Sequence, residues 1–246
     1  MARPRVHLRN APIAEALIDF RILPRTSSSP DIFSSLANEV GARYSQVLPM
    51  QSLQARFGVD QGNLIQPRSV QTVMGWLYKT DHDIAQLRMD GFTFNRLEPY
   101  TTWEEVFGEA LRIWAIYARA LEPRQVLRIA VRYINRMRVP GPAELAEYLS
   151  APPNLPQPIP QRVREFLCRT HVDDTNRNAS AVIIQALEPR VDPSQISLLL
   201  DIDAFRDGLA LAPDDPTIPE RFEQLRQLKN EIFFASVTDR TVEMYE

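Results

Sequence analysis

Leu127-Arg-Ile-Ala-Val-Arg-Tyr-Ile-Asn-Arg-Met-Arg-Val139 is the stretch on which the reading of this chain turns. Leu127, Ile129, Val131 and Tyr133 alternate with Arg128, Ala130, Arg132 and Ile134. Successive side chains of a strand leave on opposite sides, so the alternation predicts one long strand over Val126–Val139. One face is apolar and the other carries arginines. A sheet with one polar face is typically antiparallel, with that face toward water.

Similar patterns extend outward in both directions. Downstream come a short helix at Ala143–Leu149 and an extended loop at Ala151–Pro160, which holds five prolines. Strands follow at Val163–Val172, Ala181–Leu187 and Ile196–Ile202, the first two joined by a polar turn at Asp173–Asn178. A helix around Pro219–Val237 carries Phe222, Leu225, Leu228, Ile232 and Phe233. Upstream, Ala16, Ile18, Phe20 and Ile22 alternate with Glu15, Asp19 and Arg21, which predicts a strand over Ala14–Ile22. Asp31 can cap a helix running to about Tyr44. A strand at Leu53–Val59 and a turn at Gly62-Asn63 come next. Val73–Thr80 and Ala85–Phe94 then read as a hairpin across Asp81-His82-Asp83. Trp103, Val106, Phe107, Ala110, Leu111, Trp114, Tyr117, Ala118 and Leu121 fall at helical spacing after the hydroxyl caps Thr101 and Thr102.

Each half therefore reads strand, helix, three strands, long amphipathic helix. The expected fold is α+β, with pseudo-duplicated β-α-β-β-β-α units at 1–122 and 123–246 in one compact domain. Their antiparallel strands would form a shared, curved or barrel-like sheet with the long helices packed on one side. A groove between the halves is the expected place for a ligand.

Composition narrows the function classes. The chain has 246 residues, 44% hydrophobic and 24% charged, in the ordinary globular range. A net charge of −3 gives no basic field for nucleic acid. Lys79 and Lys229 are the only lysines, so positive charge is almost entirely arginine. Cys168, on one face with Phe166, is expected in the core, and as the only cysteine it rules out an intrachain disulfide. No apolar run reaches membrane-spanning length and the N-terminus lacks a signal-peptide pattern, so a cytoplasmic protein is expected.

Four segments stand out together: Asn10-Ala-Pro-Ile-Ala-Glu-Ala-Leu-Ile18, Phe94-Asn-Arg-Leu-Glu-Pro-Tyr-Thr-Thr-Trp103, Arg132-Tyr-Ile-Asn-Arg136 and Lys229-Asn-Glu-Ile-Phe-Phe234. They resemble a sporadically distributed bacterial protein family of about this length. The resemblance implies an accessory cytoplasmic protein in a defence or toxin–antitoxin setting. It carries no catalytic residues over to this chain.

The candidate ligand-binding residues are Arg128, Arg132 and Arg136 on the even face of the long strand, with Arg21, Arg56 and Arg88 on polar faces of first-half strands. Converging guanidinium groups would hold a small anion. Alternatively they form a solvated outer face balanced by Glu15, Asp19, Asp90 and Asp201. Asn95 and Arg96 precede a helix N-terminus that favours anions, or else serve local turn order and pairing with Glu98 or Glu104. Glu15-Ala-Leu-Ile-Asp19-Phe-Arg21 resembles the opening strand of the triphosphate tunnel enzymes, although Leu17 stands where that pattern needs a charge. Asp201 and Asp203 would be its metal ligands. His7, His82 and His171 have no metal-ligand spacing, and no phosphate loop or nucleophile elbow is present.

The resulting expectation is a non-enzymatic binding protein. An arginine-lined groove between the halves would take a small anionic ligand or a protein partner, without a cofactor. Two alternatives are a chaperone-like or antitoxin-like module for a neighbouring gene's product, and a divergent metal-dependent tunnel enzyme. Phe234, off the apolar stripe of its helix, suggests a homo-oligomer contact or a contact with the other half.

Overall fold

A computed structural model describes residues 8–25, 29–60, 63–141, 143–188 and 194–246, with side chains described throughout except at 53–60 and 63–71. Among these residues nine strands make one antiparallel sheet. They are β1 (Ile13–Leu23), β2 (Gln46–Asp60), β3 (Asn63–Lys79), β4 (Asp83–Arg88), β5 (Gly91–Leu97), β6 (Gln125–Pro140), β7 (Phe166–Asp174), β8 (Ala179–Glu188) and β9 (Gln195–Arg206). Their order across the sheet is β2-β3-β4-β5-β1-β6-β9-β8-β7. The sheet is open, with β2 and β7 as its edges, and so does not close into a barrel. The first and sixth strands pair at its centre, with Ile18 opposite Val131 and Phe20 opposite Ile129.

The helices are α1 (Ala37–Val40), α2 (Trp103–Leu121), α3 (Ile218–Ser236) and α4 (Asp239–Glu243). Both α2 and α3 pack on the sheet face that carries Phe20. Its ring stacks on Trp114 of α2 at 4.0 Å and meets Phe222 of α3 at 5.0 Å. Ala16, Ile18 and Phe20 are fully buried there, which is what the period-two pattern of β1 requires. Thr102 caps α2 by accepting from the Glu105 N–H at 3.2 Å. A second apolar cluster joins Met137, Val139, Leu198 and Leu200 to Phe233 of α3 and Val242 of α4.

Several features differ from the sequence reading, beginning with β2 and β3, which start at Gln46 and Asn63 where strands from Leu53 and Val73 are expected. The expected helix from Asp31 is a 3-10 segment at Pro30–Leu36 followed by the single turn of α1. Ala143–Leu149 contains only a 3-10 turn at Leu145–Glu147. Ala85–Phe94 is two strands, because the chain reverses at Met89 and Asp90 and Arg88 pairs with Gly91. Gly91 fits this turn because a β-carbon there would run into the Phe20 carbonyl oxygen. Cys168 does share a face with Phe166 but is exposed, since β7 is an edge strand. The Gly62-Asn63 turn includes positions outside the described residues. No helix among the described residues is long and apolar enough to cross a membrane.

Candidate functional site

The sheet face opposite the helices gathers most of the candidate arginines. Each of them has a carboxylate partner. Arg88 of β4 and Arg128 of β6 flank Asp19 of β1 at 3.4 and 3.2 Å. Arg128 also reaches Asp203 at 3.0 Å and lies over the Phe205 ring. Burial raises Asp203 above the ordinary carboxylate range despite Arg128 and Arg132. Arg132 holds Asp201 through two hydrogen bonds of 2.9 and 2.6 Å. Arg136 pairs with Glu188 at 3.0 Å, and Arg21 with Asp90 at 3.0 Å. Asn95 is on this face too, donating to Glu15 and accepting from Gln86. Arg96 is on the helix-covered face. It binds Asp83 at 2.5 Å, not Glu98 or Glu104. The side chain of Arg56 lies outside the described residues. Charges on the open face alternate across β4, β1, β6 and β9, so each guanidinium has its counter-ion within the sheet. Asp201 and Asp203 are both occupied by arginines. Among the described residues no three Asp, Glu, His or Cys side chains gather as a metal site.

A well-formed cavity among the described residues is elsewhere, on the helix side, and none of the seven candidate residues with described side chains lines it. Its volume is about 530 Å³. One wall is the entry segment Leu8–Ile13, held by the Asn10 N–H donating to the Tyr245 carbonyl and the Arg136 N–H donating to the Pro12 carbonyl. A second wall is the connection from β5 into α2, pinned by the Glu98 N–H on the Ala14 carbonyl at 3.1 Å and by Arg96 on the Thr101 hydroxyl. The floor is β6, through Tyr133 and Asn135, and the last wall is α3. All four segments singled out in the sequence meet here. The cavity also lies at the seam of the two apolar clusters, with Trp103 and Tyr133 from one and Phe233 and Phe234 from the other. Phe234 thus faces the cavity and packs edge-on against Phe233.

Lys229 is the chemically distinctive group of this cavity. It follows Leu225 and precedes Phe233 by four residues each, which puts it on the buried stripe of α3. Only 8% of it is exposed, and its Nζ stands 3.5 Å from the centre of the Tyr133 ring. Among the described residues it has no hydrogen bond or ion pair. Loss of hydration, with repulsion from Arg226 second, lowers its pKa to about 7. The Tyr133 hydroxyl is 3.0 Å from that of Tyr100, and burial raises both phenols above their ordinary range. Arg226 lies over the Trp103 ring and pairs with Glu223 at 3.0 Å. Asn135, also buried, donates to the Tyr133 and Leu200 carbonyls. Glu98 and Glu104 are exposed at the rim.

Periodicity passed over Lys229, Tyr100 and Asn135 because buried positions read as packing. A signal existed, since one of only two lysines in an arginine-rich chain sits on an apolar helix stripe. No protein-family model matches the chain, and no curated protein matches it.

Proposed function

We propose that this is a binding protein whose ligand is a small monoanion with an apolar body, held in the cavity between the two halves. One observation carries the reading: a nearly buried lysine lines the cavity with no carboxylate among the described residues to neutralise it. Buried amines are costly unless paired, and an entering anion would supply the missing charge. The N-terminus of α2 opens on the same space and favours the same charge. Trp103, Phe233 and Phe234 suit an apolar body, and the rim glutamates Glu98 and Glu104 disfavour polyanions. In this reading the anion occupies the cavity and the arginine face serves the sheet, its carboxylates already filling each guanidinium. Duplication of units 1–122 and 123–246 belongs to the same proposal. The strand order supports it, with β5-β1 mirrored by β9-β6 about the central pair. A cytoplasmic location and membership of the sporadic bacterial family that the four segments resemble, with its defence or toxin–antitoxin setting, are further parts of the proposal.

The test is thermal unfolding at pH 7 with phenylacetate, benzoate and inorganic phosphate. Phenylacetate or benzoate should raise Tm in a concentration-dependent way, phosphate much less. Lys229→Met should abolish the rise and Arg132→Ala should leave it. Equal shifts in both variants, or no shift with any of these anions, would refute the reading.

A second reading, an interaction module for a neighbouring gene's product or a second copy, is favoured by β7. This edge strand leaves one row of backbone groups unpaired and exposes Leu167 at 73%. Such an edge accepts a strand from another chain. Native mass spectrometry of gently purified protein should then show a stoichiometric complex that Leu167→Lys disrupts. A monomer at all concentrations would sink it.

A further inference from the structure

We propose that Lys229 captures its ligand covalently, its amine condensing with the carbonyl group of a small oxo acid in the cavity. This deepens the preceding reading and rests on it, since the acid's carboxylate is the monoanion already assigned. Three arrangements support it. Lys229 lines the cavity and its amine stands against the Tyr133 ring, without a hydrogen bond or ion pair among the described residues to hold its lone pair or its proton. Arg226, one helical turn earlier on α3, and the α2 N-terminus provide positive charge for a carboxylate beside it. The Tyr133 hydroxyl, on the ring that faces the amine and 3.0 Å from that of Tyr100, stays protonated near neutral pH and can donate a hydrogen bond to the carbonyl oxygen. Glu98, Glu104 and Glu223 also face the cavity, two at its rim and one engaged by Arg226. A lysine stripped of water in an apolar pocket is a nucleophile at neutral pH, as burial already implies for this one.

The step balances without oxidant or reductant. The Nζ lone pair attacks the carbonyl carbon and forms a C–N bond, giving a carbinolamine. A C–O bond then breaks. The carbonyl oxygen leaves as water, taking the two amine hydrogens in exchange for the C=N bond.

The test incubates the full chain with phenylpyruvate and sodium cyanoborohydride at pH 7.5 and reads intact mass and mapped peptides. One reductant-dependent adduct is expected on Lys229, forming at least about tenfold faster than on Lys79, because an ordinary lysine is almost wholly protonated at this pH. Lys229→Arg should abolish it. If that variant does not fold, excess phenylacetate should suppress the adduct in the unaltered protein. Adducts spread evenly over Lys79, Lys229 and the N-terminus would overturn the proposal. Absence of an adduct while phenylacetate still raises Tm would overturn covalent capture alone. Absence of both would overturn the cavity reading as well.

Discussion

At the scale of one residue, Lys229 carries a cost that the fold must offset. An unfolded lysine titrates near 10.5, whereas burial brings this one to about 7. Between those values the unfolded chain binds a proton that the folded chain does not. Stability therefore rises with pH across that window. Below about pH 7 the folded state must hold a buried ammonium and bears the full penalty. Lys229→Met should accordingly stabilise the protein by on the order of a few kcal/mol at pH 6, with the gain shrinking as pH approaches 10. Thermal or urea unfolding of both proteins at several pH values measures this difference. A gain that does not vary with pH would mean that the amine is hydrated in the folded state. A residue that weakens the fold is a sensible place to look for function, since function is where local rules are broken.

At the scale of elements, β6 and β9 show how the arginine face supports the sheet. Asp201 is 5% exposed and depends on the two hydrogen bonds from Arg132, with Ile134 and Leu199 among the neighbours on that face. Removing only the arginine leaves a buried carboxylate unpaired. Arg132→Met should cost about 1 to 3 kcal/mol, while Arg132→Met with Asp201→Leu should recover most of it. Chemical denaturation of the two variants decides the matter, and a double variant no better than the single one would show that the pair adds more than mutual neutralisation. The same strands explain what the sequence made legible. Strict alternation in β1 and β6 fixed their extent and buried faces because one side meets α2 and α3 and the other meets water. The partners of Arg132 and Arg128 were not legible, because Asp201 and Asp203 arrive from a strand about seventy residues away. The β4–β5 turn was hidden for a local reason. Asp90-Gly91 is a turn signal, but the apolar alternation on either side of it outweighed it and the pattern was read straight through. Capping by Asp31 suggested a helix longer than the packing of Phe33 and Leu36 sustains.

At the scale of the molecule, the cavity was legible only in part. The sequence singled out the four segments that meet there, but the meeting itself depends on long-range pairing. β1 is held on one side by β5 and on the other by β6, so the central ladder joins residues before 122 to residues after 123. The two halves consequently share one sheet and one main core, in which Phe20 of the first touches Phe222 of the second. Neither half should be stable alone. Separation exposes the buried apolar face and unpaired edge of β1 in one fragment and of β6 in the other. Fragments 1–122 and 123–246 expressed separately should aggregate or stay unfolded, whereas coexpression should give a one-to-one complex with the circular dichroism of the intact chain. Because the cavity draws Leu8–Ile13 and Trp103 from one fragment and Tyr133 and Lys229 from the other, only that complex should regain the phenylacetate-dependent rise in Tm. A cooperatively folded 123–246 fragment that responds to phenylacetate by itself would place the site within one half and refute the shared architecture.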